Sequence, residues 1–216
     1  MRQIYPLIVF TMFAGFYYLF GCAEKSKQEN DLSKQMRKQG ARSAEAFKNR
    51  TIHKILTSPI IDSTSDDDLL QVVFDNLSEK LPTDYEKEYE TVLGWNKSRQ
   101  AIYMVWILEG EVNNGGYNQF YFNSGGQFRK HLPDALRRVN AIKTADLTLA
   151  ANDSYEKQKD KITKHQDGSL EGFSKSYEDN PLNGFDEQFY ALSEIENLQK
   201  LQVDFIRKHK PDFIDQ

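Results

Sequence analysis

The chain has 216 residues and a formal charge of −4 at pH 7, and 39% of its residues are hydrophobic and 12% aromatic, enough apolar side chain to fill a core and to exclude wholesale disorder. One globular domain with appendages suits this length, and the single cysteine excludes an internal disulfide, a thiol redox pair and a zinc site of several cysteines. The charge is divided, with ten Lys and Arg against four Asp and Glu in residues 1–61 and 18 against 28 in residues 62–216. Such a division reads as a basic tether joined to an acidic domain whose own field repels nucleic acid, so direct nucleic-acid binding is not expected.

The first residues read as an address. Met1 and Arg2 precede a charge-free run from Ile4 to Phe20, and the run ends at Leu19-Phe20-Gly21-Cys22. This resembles a bacterial lipoprotein signal, which needs a small residue before the cleaved bond and a thiol that accepts a diacylglyceryl group. Residues 1–21 are then the signal peptide, Cys22 the lipidation site, and residues 22–61 the lipidated cysteine with its basic tether. The bulky Phe20 and the thin positive start depart from the usual pattern. An uncleaved signal anchor is the alternative, weakened by Pro6. Both readings expect a bacterial cell-envelope location, with the membrane as partner through Cys22. Ile52, Ile55 and Leu56 read as one helical turn docked on the domain and ended by Pro59.

From residue 62 onward the pattern is helical. Ser63-Thr64-Ser65 offers capping hydroxyls before Asp66-Asp67-Asp68, where a helix dipole favours carboxylates. Leu70, Val73, Phe74, Leu77 and Leu81 follow on one face until Pro82. Tyr85 to Val92 is a short acidic segment. From Ser98, the positions Ala101, Ile102, Val105, Trp106, Leu108 and Val112 give the most hydrophobic and most central helix. It runs into an Asn- and Gly-rich stretch, in which Gly115 is expected to take the left-handed conformation that closes a helix and Asn118 to cap the next. Further helices are expected near Pro133-Asp134, over Ala145 to Ala151, and as one long helix from Asp186 to Lys208, with Gln166 to Gly184 as a loop. No stretch alternates with a period of two, so the expected fold is an all-α, compact helical domain over residues 62–216, with a glycine- and asparagine-rich turn after the central helix.

The segment Glu111-Val112-Asn113-Asn114-Gly115-Gly116-Tyr117, with Gln119-Phe120, Asn123 and the late Phe185-Asp186-Glu187-Gln188-Phe189-Tyr190, resembles the C-terminal domain of the DNA-mimic protein family, over roughly residues 85–212. The resemblance implies an all-helical fold. For the family's founding member it also implies an acidic surface that imitates duplex phosphates and occupies a DNA-binding protein.

Glu111, Asn113, Asn114, Gly115, Gly116, Gln119 and Asn123 form the one polar constellation able to make a site. Asn and Glu beside glycine turns more often satisfy orphan backbone groups. Glu109 and Glu111 are two apart on a helix and cannot act as a paired acid and base. The four histidines lack a metal-ligand spacing, and no cofactor motif is present, so no metal, cofactor or catalytic residue is expected. Tyr117, Phe120, Tyr121 and Phe122 read as core more than as a stacking platform. The function expected is a membrane-tethered, non-catalytic protein-interaction domain with an unknown protein partner. Two rivals stand beside it: a DNA-mimic inhibitor using the acidic surface of Asp66, Asp67, Asp68, Asp84, Glu86, Glu88 and Glu90, and an envelope enzyme or sugar binder using the Glu111 to Asn123 cleft.

Overall fold

The computed structural model describes residues 44–165, 167, 169–178 and 180–216. The expected signal peptide and Cys22 lie outside the described residues. Residues 44–48 make a short helix in a unit of their own that reaches Ile52. The compact unit runs through His53–Gln216. Its helices are α1 (Ser58–Ser63), α2 (Asp66–Glu79), α3 (Glu88–Gly94), α4 (Lys97–Phe122), α5 (Leu132–Arg138), α6 (Ile142–Lys157), α7 (Lys159–Ile162), α8 (Leu170–Lys175), α9 (Asn183–Ser193) and α10 (Leu198–Lys208). There is no strand among the described residues, and the fold is all-α as the sequence leads one to expect.

The unit begins at His53 rather than Asp62. Pro59 occupies the first turn of α1 instead of ending a helix, a position where its missing N–H is an orphan donor anyway. Leu56 and Ile61 are fully buried, while Ile52 and Ile55 are exposed, so the docking apolar residues differ from the trio expected. A carboxylate at the other end of the chain holds this segment. Asp215 Oδ2 accepts from the Leu56 N–H at 2.9 Å and from Lys80 Nζ at 2.9 Å, and Arg99 donates to Oδ1 at 2.8 Å. Burial alone would raise the Asp215 pKa, but these donors and Asn76 together hold it down to about 2. Residues 53–57, which have no regular secondary structure, are thereby fixed to the C-terminus through several converging charge-assisted bonds.

Ser65 caps α2 through the Asp68 N–H, with three acids in the first turn. Leu70, Val73 and Leu77 are buried and the helix stops before Pro82. α4 is the central element, packed against α2, α3, α5, α9 and α10. Ala101, Ile102, Val105, Leu108 and Val112 are all buried, and each large aliphatic side chain so placed stabilises the fold by roughly 1.5 to 3 kcal/mol.

Two further expectations differ from the structure. The stretch Asp186 to Lys208 is two helices, α9 and α10, because Asn197 caps the second through the Lys200 N–H at 2.8 Å. The break also lets Glu196 reach the start of α6, where its carboxylate accepts from the Lys143 and Thr144 N–H groups at 2.8 and 2.9 Å, orphan donors at a helix N-terminus. The Gln166 to Gly184 stretch contains α8, capped by Ser169 through the Gly172 N–H. Among the described residues no helix is long and apolar enough to cross a membrane.

Candidate functional site

The Asn- and Gly-rich segment does not end the central helix; it kinks it. α4 continues to Phe122, and the backbone leaves helical geometry at Gly115 (φ −159°, ψ 28°) and Gly116 (φ 71°, ψ −177°). The positive angle falls on Gly116, not on Gly115 as expected. That combination of φ and ψ is open essentially to glycine alone.

A kink strips backbone groups of their helical partners, and three side chains from two other segments, α9 and the turn after α8, replace them. The Val112 carbonyl accepts the Tyr190 hydroxyl at 2.8 Å, and the Gly115 carbonyl accepts that of Tyr177 at 2.8 Å. On the far side the Tyr117 N–H donates to Asp186 Oδ1 at 2.7 Å. Asp186, at the start of α9, thus acts as an N-cap supplied by a different helix. Its carboxylate lies where a Cβ on Gly116 would stand. Burial pushes the Asp186 pKa up and nearby Glu187 adds to this, while the Tyr117 N–H pulls it down.

The expected polar constellation forms in part. Glu111 Oε2 accepts from Gln119 Nε2 at 2.6 Å and from Asn123 Nδ2 at 2.8 Å, and Asn114 donates to Gln119 Oε1 at 2.9 Å. These bonds join the helix before the kink to the helix after it. Asn113 is exposed and takes no part in this set. Asn118 caps no helix; it is fully buried, donates to Ser176 Oγ at 2.7 Å and accepts from Asn180 at 2.8 Å. Tyr117, Phe120 and Tyr121 are buried in the core, with Tyr117 Oη bonded to Thr148 and Tyr121 Oη donating to Asn152. A shallow groove of about 460 Å³ lies elsewhere, lined by Leu147, Ala150, Phe185 and Leu192 between α6 and α9. Among the described residues no three His, Cys, Asp or Glu are grouped so as to hold a metal.

Asp186 and Tyr190 were legible in the sequence only as part of a late aromatic and acidic motif, and Tyr177 carried no signal at all. Their role follows from the kink, which no periodicity announces.

The family model of DMP19-like proteins matches residues 94–209. The chain belongs to the DMP19-like family. No curated protein and no solved structure matches it. The matched region contains both halves of the kinked helix and every side chain that braces it.

The acidity of this DMP19-like chain lies mostly outside that match. Residues 62–93 carry ten acidic and two basic side chains, and residues 94–209 carry sixteen and fifteen. Of the seven acids expected on the surface, Asp66, Asp67, Asp68, Asp84, Glu86 and Glu90 are exposed. Glu88, expected on the surface, is instead buried at 8% exposure and accepts the Tyr103 hydroxyl at 2.8 Å, and burial pushes its pKa up. Asp66 pairs with Arg207 at 2.6 Å and Asp84 with Lys87 at 3.5 Å, which reduces the field they project.

Proposed function

We propose that this DMP19-like domain is a non-catalytic protein-interaction module that presents the acidic segment from Asp62 to Glu90 to a basic surface on a protein partner. The concentration of exposed acid in that segment supports the reading, since its charge is far from balanced whereas that of the remaining domain is close to balanced. A field of one sign steers an oppositely charged partner and sets a salt-sensitive association rate. The Glu111 carboxylate is spent on two amide donors that brace the kink, a use that leaves it poorly placed for acid or base work on a substrate. The lipoprotein-like start supports a membrane anchor through Cys22, which would hold the domain at the bacterial cell envelope by a lipid of more than one chain.

Membership of the DMP19-like family favours a second reading, in which the basic surface belongs to a DNA-binding protein and the acidic segment stands in for duplex phosphates, spaced at about one charge per 1.7 Å of axis. One experiment addresses both. The full chain is crosslinked to its partner in envelope and cytoplasmic extracts at low and high salt, beside a variant with Asp67→Asn, Asp68→Asn, Glu86→Gln and Glu90→Gln, and beside Glu111→Gln. The interaction reading expects one partner whose capture falls steeply with salt, is lost in the fourfold variant and persists in Glu111→Gln. Competition by duplex DNA selects the mimic reading. Salt-insensitive capture that depends on Glu111 contradicts both.

A further inference from the structure

On the seam between α4 and α10 the structure leaves a buried acceptor without a donor. Gln202 of α10 is fully buried, and its Nε2 donates to Glu109 Oε2 of α4 at 3.2 Å and to the Leu198 carbonyl at 3.2 Å. Its Oε1 has no hydrogen-bond partner. One turn before Glu109, the Trp106 Nε1 is also buried without a partner, and its ring stacks on Phe74 of α2 at 4.5 Å. Buried polar atoms are nearly always paired, so an orphan acceptor beside a carboxyl calls for an account. An ionised carboxylate offers acceptors only, whereas a neutral carboxyl carries one O–H donor.

We propose that Glu109 is protonated in the folded domain and that its hydroxyl donates to Gln202 Oε1, closing a reciprocal carboxyl–amide pair that opens when Glu109 loses its proton, so that the α4–α10 seam is a pH-sensitive joint. The proton comes from and returns to solvent, and no other bond changes. Burial agrees with the geometry: it pushes the Glu109 pKa up to about 7, against the opposing pull of the Gln202 hydrogen bond.

The charged groups of the surrounding elements are engaged with other partners, exposed to solvent or remote from Glu109. On α10, Lys200 pairs with Asp204, and Arg207 with Asp66 of α2, while Lys208 and His209 lie at the far end of that helix. Elsewhere on α2, Asp75 accepts from Gln71, and Glu79 pairs with Lys54. On α9, Asp186 accepts the Tyr117 N–H and Tyr190 donates to Val112, while Glu187 and Glu194 are exposed. Glu88 of α3 takes Tyr103, and Arg137 of α5 pairs with Asp146. Burial is the cause of the rise at Glu109, and the Gln202 hydrogen bond opposes it.

The sign follows from linkage. A folded-state pKa near 7, above the ordinary carboxyl value of 4.5, means that the stability associated with neutral Glu109 is fully present below 4.5 and is lost as pH rises towards 7 and beyond. From pH 5 to pH 8 the folding equilibrium constant then falls by roughly 70-fold through this one group. Glu109→Gln supplies a carboxamide that can donate to Gln202 Oε1 at every pH, and so should lack this loss.

The test is urea unfolding of the full chain between pH 5 and pH 8, as wild type and as Glu109→Gln. The expected result is that the pH 5 to pH 8 loss in folding equilibrium constant is about 70-fold larger in the wild type than in Glu109→Gln. A second readout works even if that variant folds poorly: in Trp95→Phe protein, Trp106 fluorescence should titrate with a midpoint near 7, and a carboxyl-carbon NMR titration should place the same midpoint on Glu109. Matching pH curves for wild type and Glu109→Gln, or a Glu109 midpoint near 4.5, would overturn the proposal.

Discussion

Gly116→Ala tests the kink most severely. A Cβ at φ 71° and ψ −177° sits in a region that costs on the order of 1 to 3 kcal/mol for a residue other than glycine. The same atom would stand on the Asp186 carboxylate and push it off the Tyr117 N–H, and a lost bond to a charged group costs roughly 1.5 to 3 kcal/mol. Partial relief of each term by the other brings the sum to about 3 to 5 kcal/mol. Gly115→Ala is the control, since φ −159° suits any residue and the atoms its Cβ meets belong to the Gln119 and Tyr177 side chains; a cost of about 1 to 3 kcal/mol is expected from two disturbed hydrogen bonds, those of Tyr177 and Gln119. Urea unfolding followed by circular dichroism at pH 7 measures both. A double-mutant cycle sharpens the result: in an Asp186→Ala background, Gly116→Ala should cost only its backbone strain, about 1 to 3 kcal/mol. A Gly116→Ala cost under 1 kcal/mol, or one unchanged by Asp186→Ala, would refute the clamp.

Three further outcomes follow from the kink and from the N-terminal docking. Tyr190→Phe and Tyr177→Phe each remove one hydroxyl from a freed carbonyl and should each cost about 1 kcal/mol in urea unfolding. Asp215→Asn should remove an acid-sensitive component: with its pKa held to about 2 against an ordinary 3.8, the carboxylate adds stability above pH 3.8 that is lost as pH falls towards 2. That component is about 2 kcal/mol before solvent screening reduces it, and acid unfolding of wild type and variant should converge at the lower pH. Leu56→Ala should cost roughly 2 to 4 kcal/mol, and a fragment starting at Asp62 should be less stable than one starting at His53, as limited proteolysis and thermal unfolding can show.

Much of the fold was legible because apolar spacing reports burial directly. Leu70, Val73 and Leu77 on α2 and the Ala101 to Val112 stripe on α4 follow a helical period, and Ser65 and Pro133 mark where helices begin. What escaped was set by contacts distant in sequence. The break between α9 and α10 carries no glycine or proline, and it exists because Glu196 caps α6 while Asn197 caps α10. The docking of residues 53–61 depends on Asp215, more than 150 residues away along the chain, which no local pattern encodes. The candidate site was legible in composition and not in meaning. Glu111, Gln119 and Asn123 do converge, but the glycines between them kink a helix instead of closing one, because Asp186, Tyr177 and Tyr190 arrive to satisfy the groups that the kink exposes. Glu88 read as one more surface acid, and only the packing of α3 on Tyr103 removes it from solvent.

Whether the signature segment braces the helix or serves a reaction is read most directly from the Tyr117 amide. In a nitrogen-15 NMR titration of the full chain, an N–H bonded to a carboxylate follows the ionisation of that carboxylate. The Tyr117 amide should therefore be protected from exchange and should shift with a midpoint above the ordinary 3.8, as the raised Asp186 pKa requires. In Asp186→Asn that shift should vanish while protection remains. A Tyr117 amide that exchanges freely with solvent, or that ignores the titration of Asp186, would contradict the brace and return the segment to the list of open surfaces.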